Sequence, residues 1–293
     1  MGIDTLEDTL LQRVCVQPPY FALADIVTDT PGSVYCTAPV QLPPEVETPV
    51  AMAEAARHCA IAGLCAAATT APDDERRYYL ARRATLERAA AGAFPETGIV
   101  SVGAQGKLTS QHSASATVQM YADARLLYWL SIDYVVLSSD AFAKVFRNLA
   151  GGPDFHASVR NPYVSSLPLM EPRVSANSAS ATVRADAEHC AGHFPGYPAM
   201  PVAYLLTAEF ELGARLARRC LGGQPVVPVT GDLLEARTLL PAEYPVGLRA
   251  RAVQDSEDTC TVEMTGSAGS EEDVRTRFVY RTARAVAAGP ARL

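Results

Sequence analysis

Two stretches of helical character, each led in by proline and each set between runs of strand-like sequence, constrain this chain more than any other feature. The first, VAMAEAARHCAIAGLCAAA, follows Pro49; its small side chains favour helix and let neighbouring backbone approach closely, so it is expected to be central and buried. The second, VAYLLTAEFELGARLARRCLGG, follows Pro198 and Pro201, carries Tyr204, Leu205, Phe210, Leu212 and Leu216 near helical spacing, and stops at Gly222-Gly223. FALADIV and SVYCTAPV precede the first helix; RYYLARRATLER, GIVSVGAQGKL and SASATVQMYADARLLYWL follow it. PRVSAN and SATVRADA precede the second; VVPVTGDLLEARTLL, VGLRARAV, CTVEMTGSA and DVRTRFVYRTARAV follow it. The order strand, strand, helix, then three or four strands therefore occurs twice.

Few folds give that order. An antiparallel sheet wrapped around one long helix, with the helix inserted after the first hairpin, is the hotdog arrangement. Two copies account for 293 residues, so the expected fold is an α+β double hotdog with halves 1–150 and 151–293 and a seam in Leu149-Ala150-Gly151-Gly152-Pro153-Asp154.

Composition excludes several classes. With 48% hydrophobic and 19% charged residues and no apolar run near twenty, the chain reads as soluble and globular, with no membrane span. MGIDTLEDTLLQRV lacks the basic start and apolar core of a secretory signal, so a cytoplasmic location is expected. A net charge of −7 argues against nucleic acid as a partner. Seven scattered cysteines without a Cys-x-x-Cys pair read as reduced, mostly buried thiols. His112, His156 and His189 show no ligand spacing, and no nucleophile elbow, phosphate loop or dinucleotide fingerprint occurs, so neither metal nor cofactor is expected. Arg76, Arg77, Arg82, Arg83 and Arg88 form a basic cluster that suits a charged edge strand or a contact to phosphate or an acidic carrier.

The segment GHFPGYPAMP holds one histidine, His193, among two glycines and three prolines, where neither helix nor central strand can continue. His193 to Pro201 resembles the H-F-P-G-x-P-x-M-P signature of the β-hydroxyacyl thioester dehydratases of fatty-acid and polyketide synthesis, matching seven specified residues; FALADIVTDTPGS loosely resembles their first hairpin. Those enzymes are hotdog proteins. The resemblance implies that His193 removes the proton next to the thioester carbonyl, while an acid on the central helix of the facing unit helps the β-hydroxyl leave as water. Such chemistry asks for a base near neutral pKa and an acid for a poor leaving group, with free amides at a helix start to steady enolate charge.

Departures from the pattern matter. The acid expected fourteen residues after the histidine is Thr207, and the usual glycine after M-P is Val202, which would narrow the thioester channel. The first half has no histidine where the signature would lie, but its helix offers Glu54 with His58 at i+4, similar to the acid and Gln or His of polyketide-synthase dehydratase domains, themselves double hotdogs. Glu209 competes for the acid's role but is turned about 200° from the expected position.

The expectation is one composite site: His193 as base, Glu54 as acid, His58 orienting it, and Phe194, Gly196, Tyr197, Pro201 and Val202 contacting substrate. The reaction expected is dehydration of a 3-hydroxyacyl thioester carried by acyl carrier protein or coenzyme A, in a monomeric double hotdog or its homodimer. Two other readings stand beside it. A hotdog thioesterase would need a helix carboxylate and an oxyanion amide but no histidine; a non-catalytic relative would only bind an acyl carrier.

Overall fold

The computed structural model describes residues 6–45, 48–89, 98–152 and 160–288. The first part runs α1 (Leu6–Arg13), β1 (Ala24–Val27), β2 (Ser33–Pro39), α2 (Met52–Ala68), β3 (Arg77–Arg88), β4 (Ile99–Ser110), β5 (Ser113–Ala122), β6 (Arg125–Ser138) and α3 (Ser139–Val145). The second runs β7 (Met170–Val174), β8 (Ser178–Val183), β9 (Ala199–Met200), α4 (Val202–Cys220), β10 (Val226–Ala236), β11 (Leu240–Pro241), β12 (Val246–Gln254), β13 (Thr259–Ser267), β14 (Val274–Thr282) and α5 (Ala283–Ala287). Pro153 and Asp154 of the expected seam lie outside the described residues.

One antiparallel sheet of twelve strands runs in the order β1-β2-β4-β5-β6-β3-β10-β14-β13-β12-β8-β7. Read inwards from either edge, the two halves have the same order: hairpin, three-strand meander, then the strand that follows the central helix. The fold is a double hotdog. The halves join where β3 pairs antiparallel with β10, from Thr230 opposite Glu87 to Leu233 opposite Ala84. The arginine-rich β3 is therefore an interior strand, held between β6 and β10, and not the edge strand that its charge suggests.

Alternation drives the wrapping. Along β5, Ala114, Ala116, Val118 and Met120 are buried while Thr117 and Gln119 face out, the half-buried pattern that packs a sheet face on a helix. The run SASATVQMYADARLLYWL is two strands, not one. Asp123 and Ala124 have φ of +46° and +64°, and Ala122 pairs with Arg125, so a two-residue hairpin turn divides it.

The two helices are clasped by the same device. On α2, a Cβ at Gly63 would come within 2.6 Å of the Tyr134 hydroxyl, which donates a 2.7 Å hydrogen bond to the carbonyl of Ala60. On α4, a Cβ at Gly213 would come within 2.4 Å of the Tyr280 hydroxyl, which donates to the carbonyl of Phe210 at 3.0 Å. A helix glycine admits a strand tyrosine, and the tyrosine bonds the carbonyl three residues earlier. This fixes a structural register between the halves: Gly63 corresponds to Gly213, an offset of 150. All seven cysteines are free thiols, six of them buried.

Candidate active site

The loop before α4 is held from two sides. Gly192 has φ +75°, and a Cβ there would sit 2.2 Å from the carbonyl oxygen of Gln17. No side chain fits. The Gly192 carbonyl accepts a 2.7 Å bond from the Gln17 amide, which binds the segment around residues 16–21 across the loop. That strap places the Tyr20 ring edge-on to the His193 imidazole, with centroids 4.9 Å apart. On the other side Phe194 stacks on His193 at 3.9 Å.

His193 is 9% exposed. Its Nδ1 lies 3.1 Å from the Ala199 carbonyl oxygen, an acceptor, so Nδ1 carries the proton of the neutral ring and Nε2 keeps the lone pair. Burial lowers its pKa to about 4, against the smaller opposing pull of that carbonyl. At neutral pH the ring is uncharged and able to accept a proton.

His193 lines an apolar cavity of about 350 Å³ between the two central helices. Ala56, Ala60 and Leu64 of α2 form one wall, and Val202, Ala203 and Leu206 of α4 the other. Alanines at successive turns make the space. At the start of α4, the first residues to find a backbone acceptor are Tyr204 and Leu205, both on the Pro201 carbonyl, and among the described residues no side chain caps the helix. Among the described residues the amides of Val202 and Ala203 have no acceptor, and both residues line the same cavity as the histidine. Among the described residues, no aspartate or glutamate lines this cavity.

Glu54 and His58 do meet, with His58 Nε2 at 3.3 Å from Glu54 Oε1, both side chains fully buried. Burial lowers the His58 pKa, the bond to Glu54 acting the other way. They do not face His193. Glu54 accepts from the amides of Gln41 at 2.6 Å and Leu42 at 3.1 Å, tying the chain before α2 to the helix. It borders a separate cleft of about 10 Å³, room for one water, with Arg57, Tyr163 and Thr207. The helix period gives the reason: two residues from Ala56, Glu54 points about 200° away from the cavity wall.

The glycine register explains the missing acid. Subtracting the offset of 150 from Thr207 gives Arg57, not Glu54. A buried arginine therefore occupies the acid's place in the first half, its guanidinium 5.0 Å above the Tyr163 ring. Tyr163 in turn stands 5.2 Å from Tyr20, the ring that packs edge-on to His193. A guanidinium cannot protonate a leaving hydroxyl as a carboxylic acid does.

Of the expected substrate contacts, Phe194 and Val202 line the cavity, and Gly196, Tyr197 and Pro201 do not. Gly196 takes φ +76° in the turn, Pro201 leads in α4, and Tyr197 packs on Phe142 at 5.1 Å. Glu209 is buried against β14, accepting a 2.9 Å bond from Thr276. His112 is exposed, His189 accepts the Asp186 amide, and His156 lies outside the described residues. Tyr20 was not legible as a site residue: QPPYF carries no periodicity that would aim it at a loop so distant in sequence.

No protein-family model and no curated protein sequence matches the chain. Solved structures do. A protein of unknown function with hot dog fold from Alicyclobacillus acidocaldarius superposes with a TM-score of 0.56 at 12% identity, covering 91% of this chain and 98% of that one. An acyl-CoA thioesterase II from Mycobacterium marinum gives 0.51 at 10%, covering 95% and 98%. The 12:0-ACP thioesterase from Umbellularia californica gives 0.52 at 11%, covering 91% and 100%. The hotdog fold stands. The expectation of a dehydratase, a lyase of fatty-acid or polyketide type, is corrected: the activities named among these neighbours are thioester hydrolyses.

Proposed function

We propose that the protein hydrolyses an acyl thioester, the acyl group lying in the cavity between α2 and α4. The observation that carries this reading is a cavity holding a histidine and two unbonded helix-start amides but, among the described residues, no carboxylate. Hydrolysis needs a base and an oxyanion site; dehydration needs an acid as well. His193 Nε2 takes a proton from water as its oxygen attacks the thioester carbonyl, and the Val202 and Ala203 amides receive the oxyanion. The C–S bond then breaks, and the thiolate takes the proton back from Nε2, giving free acid and free thiol. Glu54 and His58 act at a distance, holding the chain before α2. Coenzyme A and acyl carrier protein are the candidate carriers, in keeping with the names of the neighbours.

The test is release of free thiol and free acid, by colorimetry and mass spectrometry, from acyl thioesters of both carriers. His193→Gln should lower kcat by about 100-fold or more, the usual worth of a general base. Because the ring is neutral above about pH 4, kcat should hold from pH 7 down to about 5 and fall only below that. Loss of water from a 3-hydroxyacyl thioester without thiol release would overturn the proposal, as would a wild type that binds these thioesters and hydrolyses none.

A further inference from the structure

The cavity opens where the two halves of the sheet part. The β3–β10 ladder ends at Ala84 opposite Leu233; beyond it β3 bulges between Ala81 and Arg83, and β10 bulges between Leu233 and Glu235. Bulges bend a strand and re-aim its side chains. Arg82 stands at the first bulge and Arg237 just past β10, and both exposed side chains line the cavity, one from each half. The two arginines are not equivalent. Arg237 is engaged by Glu235 at 3.1 Å, with Glu271 and Glu272 adding to the acidic field around it. Arg82 has no hydrogen bond or ion pair among the described residues.

An uncompensated guanidinium at the lip of an apolar cavity, in a chain of net charge −7, selects a ligand that is apolar at one end and anionic further along. We propose that Arg82 binds the phosphate of the pantetheine arm of the thioester, outside the cavity whose depth receives the acyl group. The proposal rests on the hydrolase reading for the substrate's orientation. Coenzyme A and acyl carrier protein present this same phosphate, so the chemistry recognised is the phosphorylated arm. A guanidinium offers a planar pair of donors to phosphate, and an exposed contact of this kind is screened by salt.

The experiment compares one acyl group on 4′-phosphopantetheine and on pantetheine, with wild type, Arg82→Gln and Arg82→Lys. The wild type should show the lower KM for the phosphorylated arm, and that preference should shrink about fivefold in Arg82→Gln, the upper range for an exposed ion pair. Arg82→Lys should restore part of it, and raising the salt should erode it in the wild type. Equal KM values for the two arms in the wild type, or an equal preference in Arg82→Gln, would overturn the proposal. Acyl-coenzyme A and the same acyl group on a carrier protein form two further arms; the carrier is the one whose KM depends on Arg82, and dependence in neither would also refute it. Should the wild type hydrolyse nothing, the hydrolase reading fails by itself. Calorimetric binding of 4′-phosphopantetheine against pantetheine, wild type beside Arg82→Gln, still decides the role of Arg82.

Discussion

Replacing Glu209 by glutamine should remove a loss of stability that the protein suffers on going from acid to neutral and alkaline pH. Glu209 is fully buried in α4, with Oε2 accepting from Thr276 at 2.9 Å and Oε1 without a partner among the described residues. Burial raises its pKa from 4.5 to about 7, the Thr276 bond acting weakly the other way. A raised pKa means that the folded state favours the protonated acid. The resulting stability is complete below about pH 4.5 and is lost as the pH rises through about 7. At about 1.4 kcal/mol per pH unit the full loss is on the order of 3 kcal/mol, most of which falls between about pH 5 and pH 8. Glutamine does not titrate. Urea unfolding of both proteins from about pH 5 to pH 8 should show wild-type stability falling relative to the variant by about 2–3 kcal/mol. Glu45, raised to about 7 chiefly by burial, titrates in both proteins and cancels in the difference. The glutamine amide costs something at every pH, so the pH dependence of the difference is the measure, not its absolute value. Parallel stability curves would show that Glu209 ionises freely in the folded protein and would refute the argument.

Two further outcomes follow from the site. Glu54→Gln should lower stability by about 1–3 kcal/mol, because one of the two backbone amides now bonded to the carboxylate loses its acceptor. Hydrolysis per folded molecule should stay of the same order; a collapse of kcat without loss of melting temperature would instead place Glu54 in the chemistry. Gly192→Ala should cost at least about 2 kcal/mol, since its left-handed backbone and the 2.2 Å approach of the Gln17 oxygen leave no room for a Cβ. The strap carrying Tyr20 should then lift, and proteolysis near residues 16–21 should quicken; unchanged melting and proteolysis would refute the strap.

How much was legible divides along the range of the forces involved. β3 and β4 were visible nearly to their ends, and α2 and α4 to within a few residues, because alternation and helical spacing are written in neighbouring residues. The β5–β6 turn was missed because Asp123-Ala124 lacks the glycine that usually marks one. His193 and Val202, which line the cavity, were legible in one contiguous loop. Tyr20 and Arg57 were not, since nothing local says which face of α2 meets which strap.

The sequence by itself determined the repeated element order, the proline-led helices and the loop that confines His193. Those features depend on backbone geometry and short-range periodicity, which any chain with these residues must obey. Only the tertiary structure decided which groups share a cavity. Matched from proline to proline, Glu54 falls within one residue of facing His193; the clasp of Gly63 by Tyr134 and of Gly213 by Tyr280 sets the register instead. That register puts Arg57 where an acid would stand, and at 100° per residue a small error in alignment turns a carboxylate from the cavity into the wall behind it.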